Sequence, residues 1–179
     1  ADYFNKQSPA YMQQLSGYMT QPEMVEPMDS KCDAVSCIAV YGLGEGKIIQ
    51  NALEQYHLQV DQSKNKQAID PAKFELILFV NYPKNGEKGR IALENRLGHS
   101  YTDGAEDRVR AGNPEIYDTE EVIRQFKLNH PELKIRVMRK EFENRPKWGS
   151  IIKPLYDVAM YRALHRPVGS SVRDPLIIT

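Results

Sequence analysis

Short strand-like runs alternate with stretches of helical spacing, and that alternation limits the folds open to this chain. Residues 34–41 (Ala34-Val35-Ser36-Cys37-Ile38-Ala39-Val40-Tyr41) and 74–80 are brief and apolar, and 134–139 sets Ile135, Val137 and Met138 among basic residues. Runs of this length between turn signals read as strands, and the first reads as buried on both faces. Between them, residues 47–56 place Ile48, Ile49, Ala52, Leu53 and Tyr56 on one helical face. A second helix follows Asp118, with Val122, Ile123 and Phe126 inward. A third spans about 150–164 and is buried through Ile151, Leu155, Val158, Ala159 and the stem of Arg162. Leu176 to Ile178 begins a fourth strand. The order predicts an α/β fold, Rossmann-like, with a mostly parallel sheet and helices on both faces. Ligands on such sheets bind at the carboxyl ends of the strands. Those ends are Tyr41–Gly46, Asn81–Lys84 and Arg139–Arg145.

Local signals refine the outline. Residues 1–33 read as an amphipathic helix and a connector, ahead of an α/β domain at 34–179. Tyr11, Met12, Leu15, Tyr18 and Met19 share one face of the helix at 9–20, which marks them as core. Asp118 and Glu121 make a D-x-x-E capping pattern. Pro154 is expected in the first turn of its helix, where a missing N–H costs little. Residues 84–117 are polar, mixed in charge and weakly periodic, and read as a long excursion from the domain. Trp148, the single tryptophan, is expected to be a packing anchor.

The chain has 179 residues, with 24 Lys and Arg against 24 Asp and Glu. A net charge of zero argues against nucleic-acid binding driven by bulk charge and against a polybasic membrane anchor. No run approaches the length of a membrane span. Two cysteines, Cys32 and Cys37, form no disulfide framework and no zinc-ligand spacing, so a reducing, cytoplasmic compartment is the expectation. His57, His99, His130 and His165 are scattered and show no ligand spacing. Glu141 and Glu143 read as solvated. Arg139 and Lys140 belong to a solvated face whose end can also help hold phosphate.

The glycine turn after the first strand fails two motifs. Gly42-Leu43-Gly44 opens a dinucleotide fingerprint, but the third glycine position is Lys47, and the second strand ends in Asn81 where an acid belongs. Gly46-Lys47 is followed by Ile48 where a phosphate-binding loop needs Ser or Thr. No serine sits in a nucleophile elbow.

In order and placement, the remaining segments resemble the nucleotide-binding half of an A-type (GT-A fold) glycosyltransferase, similar to the inverting family 2. The segments are Val40-Tyr41-Gly42-Leu43-Gly44-Glu45, Phe79-Val80-Asn81-Tyr82-Pro83, His130 to Val137, Gly149-Ser150-Ile151-Ile152-Lys153, and Arg173 to Thr179. The resemblance covers about residues 34–83 and 118–179. It implies a nucleotide-sugar donor and transfer of the sugar to an acceptor hydroxyl on a glycan, lipid or protein. It also implies a divalent metal (Mn or Mg) held by an Asp-x-Asp after Thr179, with the catalytic base beyond Thr179 as well. This chain is then expected to be one portion of a longer enzyme and inactive alone. The nucleotide-binding residues implied are Val40, Tyr41, Glu45, Asn81, Tyr82 and Lys153. Tyr41 would flank the base, Asn81 would read its edge as an amide, and Lys153 near a helix N-terminus would add charge for the phosphates. The family's base-reading acid is replaced here by Asn81 or Tyr82. Two other expectations stand beside this one: a nucleotide-binding or assembly module without chemistry, and an unrelated Rossmann-like enzyme using the excursion as a lid. The last strand, if its edge is exposed, is a template for self-association.

Overall fold

A computed structural model of the chain describes residues 2–42, 45–61, 67–83, 119–143, 146–167 and 176–178. In chain order the elements are α1 (Asp2–Asn5), α2 (Pro9–Met19), β1 (Ala34–Tyr41), α3 (Gly46–Val60), a 3-10 turn (Pro71–Lys73), β2 (Phe74–Pro83), α4 (Thr119–Asn129), β3 (Lys134–Phe142), α5 (Trp148–Leu164) and β4 (Leu176–Ile178). The excursion at 84–117, Asp118 and His99 lie outside the described residues.

The four strands form one sheet in the order β3-β2-β1-β4, and every pairing is parallel. The chain steps outward from β1 to β2 to β3, then returns through α5 to the other side of β1. That reversal sets a topological switch point between β1 and β4. Side chains alternate along each strand and so divide the core in two. Leu76, Leu78 and Val80 of β2 join Val40, Ile135 and Val137 beneath α3 and α4, against Ile49, Leu53, Tyr56, Ile123 and Phe126. Ile77 and Phe79 face the other way, with Val35, Cys37 and Met138. There they meet Leu15 and Tyr18 of α2, the connector's Met24, Met28 and Cys32, and Ile151, Leu155, Val158 and Ala159 of α5. The parallel sheet is therefore covered on both faces, as such sheets require.

β2 is the central buried strand, enclosed from Phe74 to Asn81. β1 is less buried than its sequence predicts. Ser36, Ile38, Ala39 and Tyr41 are only half-buried, because β4 pairs with just Ala34, Val35 and Ser36. Three further expectations are corrected. Ile48 is exposed, since the strip at Ile49, Leu53, Tyr56 and Val60 meets the sheet and Ile48 lies one residue round from it. α5 starts at Trp148, so Pro154 falls in its interior and offers no N–H to the carbonyl of Ser150. Trp148 itself stands at the helix's first residue, ahead of the contact that begins at Ile151, and is 70% exposed.

Glu75, Arg136, Asp157 and Arg162 are charged residues buried among those described. Glu75 of β2 is buried, and it accepts two hydrogen bonds from Arg162 of α5, Nε to Oε1 and Nη2 to Oε2, both at 2.8 Å. Arg162 also donates to the carbonyl of Met24 at 2.7 Å. Arg136 of β3 approaches the same carboxylate at 3.4 Å and bonds Glu26 of the connector at 2.6 Å. The connector is thereby tied to strand, sheet edge and helix together. Gln21 adds a second tie: its amide donates to the carbonyl of Arg139 at 2.8 Å and accepts that residue's N–H at 2.7 Å. It stands in for a neighbouring strand at this point of β3, an edge of the described sheet.

Cys32 and Cys37 are free and buried. Burial, then the charge of Glu75, pushes the Cys32 thiol up to about 11 and the Cys37 thiol up to about 12. No helix among the described residues is long and apolar enough to cross a membrane.

Removing one partner of the buried pair strands the other's charge. Glu75→Gln is expected to cost about 3–5 kcal/mol in urea unfolding, with the double variant Glu75→Leu, Arg162→Met recovering most of it. Tyr56 is the opposite case: its hydroxyl is buried with no hydrogen-bond partner among the described residues. Tyr56→Phe is expected to raise stability by about 1 kcal/mol, read in the same unfolding experiment, because it removes an unsatisfied polar group and keeps the ring stacked on Phe74.

Candidate functional site

The carboxyl ends of β1 and β2 meet in register, Tyr41 opposite Asn81, and the ladder continues one step further through Gly42 N–H to the Asn81 carbonyl at 2.8 Å. Three side chains from different segments then fix the tip of β1. Glu45, at the N-cap of α3, accepts the N–H of Tyr41 at 2.6 Å. Thr119, the first residue of α4 and fully buried, donates its hydroxyl to the Tyr41 carbonyl at 2.8 Å. Asn81, 6% exposed, donates Nδ2 to the Val40 carbonyl at 2.8 Å. Tyr41 lies beyond Ser36, the last residue of β1 that β4 pairs, so side chains meet its N–H and carbonyl on that side instead.

Tyr82 points to the opposite face from Asn81. Its hydroxyl bonds the carboxylate of Glu120, and its ring lies directly over Gly42. A Cβ at position 42 would sit inside that ring's van der Waals surface. Glu120 takes two further bonds from Arg139, at 2.6 and 3.0 Å. Arg139 also reaches Glu23 of the connector, and Glu23 pairs with Lys127 of α4. Burial opposes the charge on Glu23, but Lys127 and Arg139 more than offset it and hold the carboxyl below its usual range. Burial likewise opposes the charge on Arg139, and Glu120 and Glu23 together raise its guanidinium above the ordinary value. This chain of charges lines an open groove of about 600 Å³ along α4, with Glu121, Arg124 and Leu128 on its outer wall. Glu121 bonds Arg124 and Gln125 on its own helix.

The structure thus gathers Val40, Tyr41, Glu45, Asn81 and Tyr82 at one edge. Lys153 belongs to a different cluster. It bonds Asp157 at 2.5 Å, the Tyr3 hydroxyl at 3.1 Å and Gln7 at 3.3 Å, and it lies over the Tyr11 ring at 3.8 Å. Tyr3 and Tyr11 both donate to Asp157. Burial works against the ammonium, yet Asp157 and the two tyrosines raise it above its ordinary value. It fastens α1 and α2 to α5. Arg139 is likewise engaged by two carboxylates rather than solvated, and Lys140 lies over the rings of Phe142 and Tyr18. The histidines include a pair that the sequence does not place together. His57 and His130 bring their ring centroids within 4.0 Å of each other.

Thr119, Glu120 and Glu23 are the contributors that sequence reasoning missed at this edge. The available signal was the parallel order itself, which returns the start of α4 to the same edge as the end of β2.

The resemblance assigns its divalent metal to no residue described here, and the carboxylates at this edge are already engaged. Glu45 holds a backbone N–H, Glu120 holds Arg139 and Tyr82, and Glu23 holds Lys127 and Arg139. A cation would have to displace partners that already neutralise these carboxylates. Comparison of the chain with family models, with curated proteins and with solved structures finds no match.

Gly42→Ala is expected to push the Tyr82 ring off Glu120 and cost about 1–3 kcal/mol in thermal unfolding. In a Tyr82→Ala background the same substitution is expected to be close to neutral, and a double-mutant cycle measures the coupling.

Proposed function

We propose that this chain carries the donor-binding half of an A-type nucleotide-sugar glycosyltransferase, with the nucleotide lying across the carboxyl ends of β1 and β2. One observation carries the reading: the tip of β1, next to the switch point, is held in place by Glu45, Thr119 and Asn81 from three separate segments. Such fixing costs ordered side chains, and it presents the peptide edges and the half-buried Tyr41 ring in a set geometry before a ligand arrives. One Nδ2 hydrogen of Asn81 goes to the Val40 carbonyl, which leaves the second N–H and the acceptor Oδ1 to read a base edge. Oδ1 suits a ring N–H such as those of uracil or guanine. The first turn of α3 begins at Gly46 and carries the exposed Lys47. An anion is favoured there by the helix N-terminus and by that charge. Transfer would further need a carboxylate to deprotonate the acceptor hydroxyl and a divalent metal to neutralise the leaving diphosphate.

A second reading has its own support. The engagement of Glu23, Glu45 and Glu120 favours a nucleotide-binding module that does no chemistry.

Thermal shift with uridine and guanosine diphosphates in the presence of manganese, against nicotinamide and adenosine ligands, tests the binding. A Tm rise of roughly 5 °C with one of the first pair is expected at about a hundredfold excess over Kd. Amide shifts at Tyr41, Gly42 and Asn81 should accompany it. Stabilisation by the second group alone would sink the proposal. Release of free sugar, or sugar transfer, by the parent protein separates enzyme from module.

A further inference from the structure

At the other end of the sheet, three potential ligands meet. His57 lies in the last turn of α3, His130 directly follows α4, and Glu132 sits on the turn into β3. One donor atom from each lies within 4.8 Å of the other two. The imidazole rings are 4.0 Å apart at 46°, and His130 Nδ1 is 3.5 Å from Glu132 Oε1. Phe126 backs both rings, with centroids 4.5 Å from His130 and 6.3 Å from His57. The histidines are half-buried and Glu132 is exposed, which leaves a path from solvent. The supporting backbone is well tied. Asp61 N–H bonds the His57 carbonyl at 2.8 Å, His130 N–H bonds the Phe126 carbonyl at 3.0 Å, and Leu133 N–H bonds the His130 carbonyl at 3.1 Å.

We infer that His57, His130 and Glu132 form a binding site for a divalent transition metal, and that zinc is the ion this donor set fits. Two imidazole nitrogens and one carboxylate oxygen are borderline-soft ligands that suit zinc, and three of them leave a fourth tetrahedral position for water. Magnesium and calcium prefer all-oxygen shells. A tetrahedral ion with bonds of about 2.0–2.1 Å needs its ligands roughly 3.4 Å apart. Rotation of the exposed Glu132 side chain and small ring adjustments bring the present spread to that distance. A separate feature favours a cation here: α3 and α4 both aim their C-terminal carbonyl ends at this edge, where positive charge is stabilised. The bound ion would cross-link the end of α3 to the α4–β3 turn, so it would act on the stability of the native state. The site is independent of the nucleotide reading.

The test uses the full chain, stripped with chelator and then titrated with zinc, with magnesium as control and cobalt as a spectroscopic probe. Zinc at about a hundredfold excess over Kd is expected to raise the Tm by roughly 5 °C. Cobalt should give the intense visible bands of a tetrahedral site. His57→Asn and His130→Asn should lose both effects, each variant being compared with and without metal so that its own stability cancels. Glu132→Gln, on an exposed residue, should fold normally and lower the affinity at least about tenfold, the loss seen even for outer-shell partners. Absence of cobalt bands and of any zinc-dependent Tm shift in the unmodified chain would overturn the proposal. So would an equal zinc response in both histidine variants, or a magnesium response as large as that of zinc.

Discussion

The bidentate contact between Glu75 and Arg162 sets how the layers of this fold lie on one another. Apolar burial drives α5 and the connector onto one face of the sheet, but it is non-directional and tolerates many placements. A carboxylate buried in β2 does not. It is stable only where a guanidinium meets both of its oxygens, and Arg162 does so from a single rotational setting of α5. Arg162 also donates Nη1 to the Met24 carbonyl, which fixes the connector in turn. Strand, helix and connector are therefore specified by one polar network inside a mainly apolar layer.

The connector extends that logic along β3. Glu26 pairs with Arg136, Glu23 pairs with Arg139, and Gln21 satisfies the backbone of Arg139. The two arginines of the third strand are matched by acids that precede the first one. The overall neutrality of the chain is thus local as well as global, at least along this edge. It also removes Arg139 as a phosphate ligand, since two carboxylates already share its charge.

The alternation of apolar runs and helical spacing made the α/β order and the parallel sheet legible, because period and length alone separate buried strands from amphipathic helices. The positions at the tip of β1 were legible from the same logic, since ligands collect at carboxyl ends. Lys153 was not, because its reach toward Tyr3, Gln7 and Tyr11 depends on how α1 and α2 fold back on α5. The same is true of Trp148, whose exposure depends on where α5 first meets the sheet. The excursion at 84–117 lies outside the described residues. The histidine pair was hidden by a separation of 73 positions along the chain, which only the side-by-side packing of α3 and α4 removes.

A parallel βαβ chain sorts its ends by polarity, and that sorting gives the two candidate sites different work. Every crossover delivers a strand's carboxyl end and a helix N-terminus to one edge, and a helix C-terminus to the other. The first edge favours anions and the second favours cations. β1 alone is eight residues long, about 26 Å at the usual rise, so the two edges are separated by most of the sheet's height. An ion held by His57, His130 and Glu132 is therefore too far from a nucleotide at Tyr41 and Asn81 to polarise a leaving group directly. Its leverage is on the packing of α3 against α4, the two helices whose starts, Glu45 at the N-cap of α3 and Thr119 first in α4, also hold the tip of β1. A metal at the lower edge would thus influence the upper one only by making those helices harder to separate.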